Sequence, residues 1–134
     1  MASILIVEDS ATDAFVLQRM LEKNGHSVEL AANGRDGIDS AVNLQPDVIL
    51  MDVVMPDMNG FQATRELRQL QQTAGIPVII VSSKQQKTDR IWGMRQGAVD
   101  YLCKPVNAKI LAYSVNTALS NNAIQSAGQR VDVT

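Results

Sequence analysis

Three short segments, Ile4 to Val7, Val48 to Met51 and Val78 to Val81, are apolar at every position, and this narrows the possible folds more than any other feature of the chain. A strand with one wet face alternates apolar and polar residues. A continuous apolar run fits a strand covered by helices on both faces, as in a parallel sheet. Two further runs, Val28 to Ala31 and Val99 to Cys103, bring the strand candidates to five, with room for a helix after each. The continuous runs are expected at the centre of the sheet.

The intervening segments have helical spacing: Ala14, Leu17 and Leu21; Ile38, Ala41 and Val42; Ala63, Leu67 and Leu70; and finally Leu111, Val115 and Leu119, with Asn107 placed to cap the last helix after Pro105. Gly25, Gly75 and Gly97 stand where a left-handed residue would end a helix. Lys87 to Gln96 carries only Ile91, Trp92 and Met94 among charged residues, so a short and loosely held helix is expected there. Strands alternating with helices imply right-handed crossovers and a three-layer, doubly wound α/β sandwich.

At 134 residues the chain fits one domain, read as residues 1–121, followed by a polar tail, 122–134, expected to be disordered. A net charge of -2 and no localised Lys/Arg patch argue against DNA or RNA as a partner. No apolar run approaches the roughly 20 residues that cross a bilayer, and the first residues lack the basic start of a signal peptide. No membrane insertion and a cytoplasmic location are expected. Cys103, the single cysteine, lies beside Leu102 and reads as a buried, reduced thiol.

Ligands of an open parallel sheet bind beyond the carboxyl ends of its strands. Here those ends are Glu8-Asp9, Asp52, Ser82-Ser83 and Lys104-Pro105. Three converging carboxylates repel by about 3 kcal/mol per pair at ~5 Å and an effective dielectric near 20, so a positive charge must sit among them. All-oxygen donors favour a hard cation such as Mg²⁺. Asp9 is the candidate direct ligand, with Glu8 acting directly or through water, Asp52 alongside, and the main-chain carbonyl of Val54 presented by the proline-containing turn.

Asp52 is the candidate nucleophile, because a carboxylate with a pKa of about 3.9 is ionised without a general base. Lys104 would supply a second positive centre, and the Ser82 hydroxyl could donate to a phosphoryl oxygen. The Lys104-Pro105 bond is a candidate cis peptide.

Glu8-Asp9, Asp52 with Met55-Pro56 and Gly60, Ser82, Tyr101 and Lys104-Pro105 together resemble the receiver domains of bacterial two-component response regulators, over residues 3 to about 121. The resemblance implies a flavodoxin-like (βα)5 fold with strand order 2-1-3-4-5. It also implies a sensor histidine kinase that phosphorylates Asp52 with Mg²⁺ bound, later hydrolysis of the aspartyl phosphate, and a switch through Ser82 and Tyr101. Glu8 and Ser82 are mild departures from the more frequent Asp and Thr. In the implied switch, Ser82 moves inward, the loop Ser83 to Thr88 follows, and Tyr101 fills the vacated space. Two charge-assisted bonds, from Ser82 and Lys104, at ~1.5 to 3 kcal/mol each total ~3 to 6, enough to supply most of the ~5.5 kcal/mol that inverts a 1:99 population if they form only in the active state.

A finer similarity, through Ile76 to Val81 and Trp92 to Ala98, is to the single-domain regulators of type IV pilus twitching motility. The reading is therefore a stand-alone signalling receiver, not an enzyme, that assists its own phosphorylation and dephosphorylation and meets an effector through its fourth helix, fifth strand and fifth helix. A phosphate sink for a shared kinase is the nearest alternative. A small aspartyl-phosphate phosphohydrolase is weakened by Val54, which stands two residues after Asp52 where such enzymes place a second Asp. A flavin binder is disfavoured because no glycine-rich phosphate loop follows the first strand.

Overall fold

A computed structural model describes the backbone of residues 1–133 and the side chains of residues 1–122. The elements alternate as β1 (Ser3–Val7), α1 (Ala11–Lys23), β2 (Ser27–Ala31), α2 (Gly34–Leu44), β3 (Val48–Met51), α3 (Gly60–Gln69), β4 (Val78–Ser82), α4 (Lys87–Arg95), β5 (Asp100–Cys103) and α5 (Ala108–Val133). All pairings are parallel and the strand order is β2-β1-β3-β4-β5, which puts the three continuously apolar strands in the middle.

Each central strand feeds both faces of the sheet, because successive side chains point in opposite directions. Ile4, Ile6, Leu50, Ile79 and Val81 pack with Leu17 and Leu21 of α1 and Leu111 and Val115 of α5. Leu5, Val7, Ile49 and Met51 pack on the other face with Ile38 and Ala41 of α2 and Ala63 and Leu67 of α3. A side chain such as Leu50, 1% exposed, contributes ~1.5 to 3 kcal/mol by leaving water. The helix α4 buries only Gly93, in keeping with its thin apolar stripe.

Helix ends follow local chemistry. Ser10, Asn33 and Asn59 cap α1, α2 and α3 by accepting from a backbone N–H of the first turn. Asn107 Oδ1 accepts from Lys109 N at 2.8 Å at the start of α5. Gly25 and Gly97 have the left-handed conformation expected of them, with φ of 86° and 106°. Gly75 does not. The helix α3 stops earlier, with Leu70 extended, and buried Thr73 donates to the Leu67 carbonyl, so a side chain satisfies the helix end without a left-handed glycine.

One further expectation is corrected. Cys103 is exposed, because it ends the edge strand β5 on the side left uncovered, while its neighbour Leu102 faces the core. The helix α5 continues as backbone to Val133, through most of the segment set apart as a tail; helix propagation needs only one further bond per residue, and no proline interrupts it there. The side chains of that stretch beyond residue 122, and Thr134 altogether, lie outside the described residues.

Candidate phosphoacceptor site

Strand register builds the site. Val7 pairs with Met51, and Asp52 N donates to Val7 O, so Glu8 and Asp52 leave the sheet side by side. Ser82 pairs with Cys103, and Lys104 N donates to Ser82 O at 2.8 Å, which brings Lys104 to the same end. One slip of register would turn these groups to the wrong face. Gly60 fixes the following turn: a Cβ there would lie 1.9 Å from the Asp52 carbonyl oxygen, so only glycine lets α3 start against the end of β3.

One carboxylate oxygen from each of Glu8, Asp9 and Asp52 can be chosen so that all lie within 4.8 Å of one another. Glu8 and Asp52 are buried, whereas Asp9 is exposed at the mouth. Lys104 Nζ donates to Glu8 Oε1 and, at 2.8 Å, to Asp13 Oδ2, and stands 3.7 Å from Asp52 Oδ2. Asp52 Oδ1 accepts from Val53 N at 2.8 Å, and Glu8 Oε2 from Ser10 N at 3.1 Å. The Lys104-Pro105 bond is cis.

These contacts set the charge states. Burial, with the neighbouring Asp52 carboxylate, pushes Glu8 up to about 7, although Lys104 and the Ser10 N–H pull it back. Burial alone would depress Lys104, but its bonds to Asp13 and Glu8 and the charge of Asp52 outweigh that and hold the ammonium firmly protonated. Three crowded oxygens, one of them in a carboxyl that resists ionisation, suit a divalent cation: its charge relieves the repulsion, and its preference for oxygen matches the donors.

Ser82 and Tyr101 meet through one residue of the loop between them. Ser82, fully buried, accepts at Oγ from Lys84 N at 3.1 Å, while the Tyr101 hydroxyl donates to Lys84 O at 2.6 Å. Tyr101 is only 2% exposed, because Gly93 of α4 leaves room: a Cβ on that residue would be 3.1 Å from the Tyr101 ring. Burial raises the Tyr101 phenol above its ordinary value. The Val54 side chain is exposed and borders a cleft with Lys84, Asn59 and Trp92.

Two participants were not anticipated among the strand ends. Lys84 contributes only its peptide group, which no residue type advertises. Asp13 lies in the first turn of α1, where its N–H bonds the Ser10 cap. The available signal was the acidic first turn of a helix that starts at the site.

The response regulator receiver domain family matches residues 4–116. Protein PilH of Pseudomonas aeruginosa is 55% identical over 120 residues, covering 90% of this chain and 99% of that protein. The transcriptional regulatory protein AfsQ1 of Streptomyces coelicolor is 32% identical, but this chain spans only 55% of its length. Among solved structures, Vibrio cholerae chemotaxis protein CheY4 superposes with a TM-score of 0.83 at 31% identity, covering 89% of this chain and 99% of that one. The receiver domain of the Pseudomonas aeruginosa sensor histidine kinase PA1611, solved with a magnesium ion coordinated in its active-site cleft, has a TM-score of 0.83 at 32% identity, covering 89% and 98%. With this sheet order, these strand-end groups and a family match over most of its length, the chain belongs to the response regulator receiver domain family.

Proposed function

We propose that the chain accepts a phosphoryl group on Asp52 from the phosphohistidine of a sensor histidine kinase and signals through a change in its protein-binding surface. The observation that carries this reading is the Glu8, Asp9 and Asp52 cluster within 4.8 Å, with an ammonium 3.7 Å from the nucleophilic carboxylate. An Asp52 oxygen attacks phosphorus, the phosphorus–nitrogen bond breaks, and the imidazole departs. Glu8, Asp9, Asp52 and the Val54 carbonyl would hold Mg²⁺, which supplies charge neutralisation for the transferring oxygens. Lys104 and the Ser82 hydroxyl complete the electrostatic cradle, so the protein assists both its own phosphorylation and, with water as acceptor, its dephosphorylation.

The same contacts support a switch. A Ser82 hydroxyl drawn to a phosphoryl oxygen pulls on or releases Lys84 N, and the carbonyl of the same residue, one peptide unit further on, is held by Tyr101. Motion at Asp52 therefore reaches α4 and β5. That side of the molecule carries exposed Ile91, Trp92, Met94, Val99, Ile110 and Tyr113, a surface for an effector. The pilus-regulator resemblance and the identity to PilH support a cytoplasmic role in pilus motility or taxis. Among the described residues no helix is long and apolar enough to cross a membrane.

The test is phosphotransfer from labelled candidate kinases, or from acetyl phosphate, with Mg²⁺. Label is expected on the wild-type chain, is lost with Asp52→Asn, and is abolished by chelation. Persistent labelling of the Asn variant would overturn the assignment. Capture of a protein only by the phosphorylated form identifies the effector.

A further inference from the structure

We propose that Asp13 is a positioning residue that restrains Lys104 short of Asp52 and thereby limits how strongly the site holds a phosphoryl group. The proposal rests on the phosphoacceptor reading of Asp52. It starts from the donor inventory of the ammonium, which has three N–H groups. One goes to Glu8 and one to Asp13 at 2.8 Å, and the distance to Asp52 Oδ2, 3.7 Å, is too long for a hydrogen bond.

The two bonded carboxylates are not equivalent. Glu8 belongs to the cluster that can hold a cation, so a cation there competes with Lys104 for its oxygens. Asp13 lies outside that cluster, and among the described residues it is the one ion-pair partner of Lys104 that does. Its backbone is fixed: Asp13 N bonds Ser10 Oγ, and α1 is anchored by buried Leu17 and Leu21. Its carboxylate can therefore follow the ammonium toward Asp52 only as far as rotation of a short side chain allows.

A charge-assisted bond to a phosphoryl oxygen is strongest at about 2.7 to 2.9 Å, and although the third N–H of Lys104 is free to make one, the bond to Asp13 limits how far the ammonium can move to optimise it. The Asp13 side chain is 46% exposed, so the restraint has the strength of a partly solvated ion pair, equivalent to about a twofold to fivefold change in affinity. Freed of Asp13, Lys104 would move fully to the phosphoryl group.

The experiment is a titration of wild type, Asp13→Asn, Lys104→Met and the double variant with beryllium fluoride, a phosphoryl mimic, in saturating Mg²⁺. Binding is followed by the fluorescence of Trp92, the single tryptophan, or by calorimetry. Asp13→Asn is expected to bind about twofold to fivefold more tightly, and to have no effect in the Lys104→Met background, since it acts through the ammonium. In the metal-free protein, the Lys104 ammonium signal in nitrogen-15 NMR should exchange faster in Asp13→Asn, which a general loss of negative charge would not cause.

Weaker binding by Asp13→Asn would overturn the proposal, because Asp13 would then be holding Lys104 ready. Equal tightening with Met at position 104 would overturn it as well, in favour of simple repulsion of the incoming anion. Asp13→Glu keeps the charge and should stay within about twofold of wild type; it replaces the Asn variant if that fails to fold, with tightening as large as that expected for Asn counting against the proposal. No binding of the mimic by the wild-type chain would sink the phosphoacceptor reading itself, a failure visible before any Asp13 variant is compared.

Discussion

Asp52→Asn should stabilise the metal-free protein more as pH rises, because the charge it removes repels a neighbour that ionises only near neutrality. Glu8 is an acid whose pKa goes from 4.5 to about 7 on folding, so the folded chain keeps a proton that the unfolded chain releases. Stability from this group is full below about 4.5, falls as pH rises toward 7, and is flat above. Asp52 is a principal cause of the shift after burial, through a shared hydrogen bond and its charge, and asparagine removes the charge. At no more than 4.8 Å the Glu8 and Asp52 charges repel by about 3.5 kcal/mol at an effective dielectric of 20. Water at the open mouth reduces this, giving an expected swing of roughly 1.5 to 2 kcal/mol between about pH 5 and pH 8. At the acid end the variant is near neutral, since it sheds repulsion from Asp9 but loses the attraction of Lys104 at 3.7 Å. Urea unfolding in a chelating buffer at both pH values measures this directly. A pH-independent difference between variant and wild type, or one more favourable in acid, would refute the reasoning. Added Mg²⁺ should stabilise the wild type more than the variant.

Gly60→Ala should cost about 3 kcal/mol in urea unfolding and reduce labelling of Asp52, since the new Cβ meets the Asp52 backbone at 1.9 Å. Gly75→Ala, whose Cβ has no atom within 4 Å, should stay within about 0.5 kcal/mol. Arg90→Ala removes the bond from Arg90 to the Tyr101 carbonyl and the 3.7 Å contact with Asp100, so amide exchange across α4 should quicken while that in β1 and β3 does not. Exposed Cys103 should react with one equivalent of a maleimide under native conditions, at a rate that unfolding changes little.

What was legible in the sequence, and what was not, divides along one physical line. Continuous apolar runs specify strands covered on both faces, and parallel register then forces the residues after each run to one end, so Glu8, Asp52, Ser82 and Lys104 could be brought together from order alone. Quantities set by a third element could not. Cys103 and Leu102 are adjacent in an apolar stretch, but one faces the core and the other the bare side of an edge strand, a distinction that depends on how far α4 and α5 reach. Tyr101 is interior because Gly93, on a helix that looks weak in sequence, leaves space for its ring. Lys104 looked like a lysine aimed at Asp52; its strongest restraint outside the acidic cluster comes from Asp13, a residue on neither strand. Strand ends determine which groups meet, while the helices packed over them determine where each group rests before the chemistry begins. That is why variants of Asp13 and Gly93, more than those of the nucleophile, are the ones that distinguish this receiver's own behaviour from what the strand-end residues alone dictate.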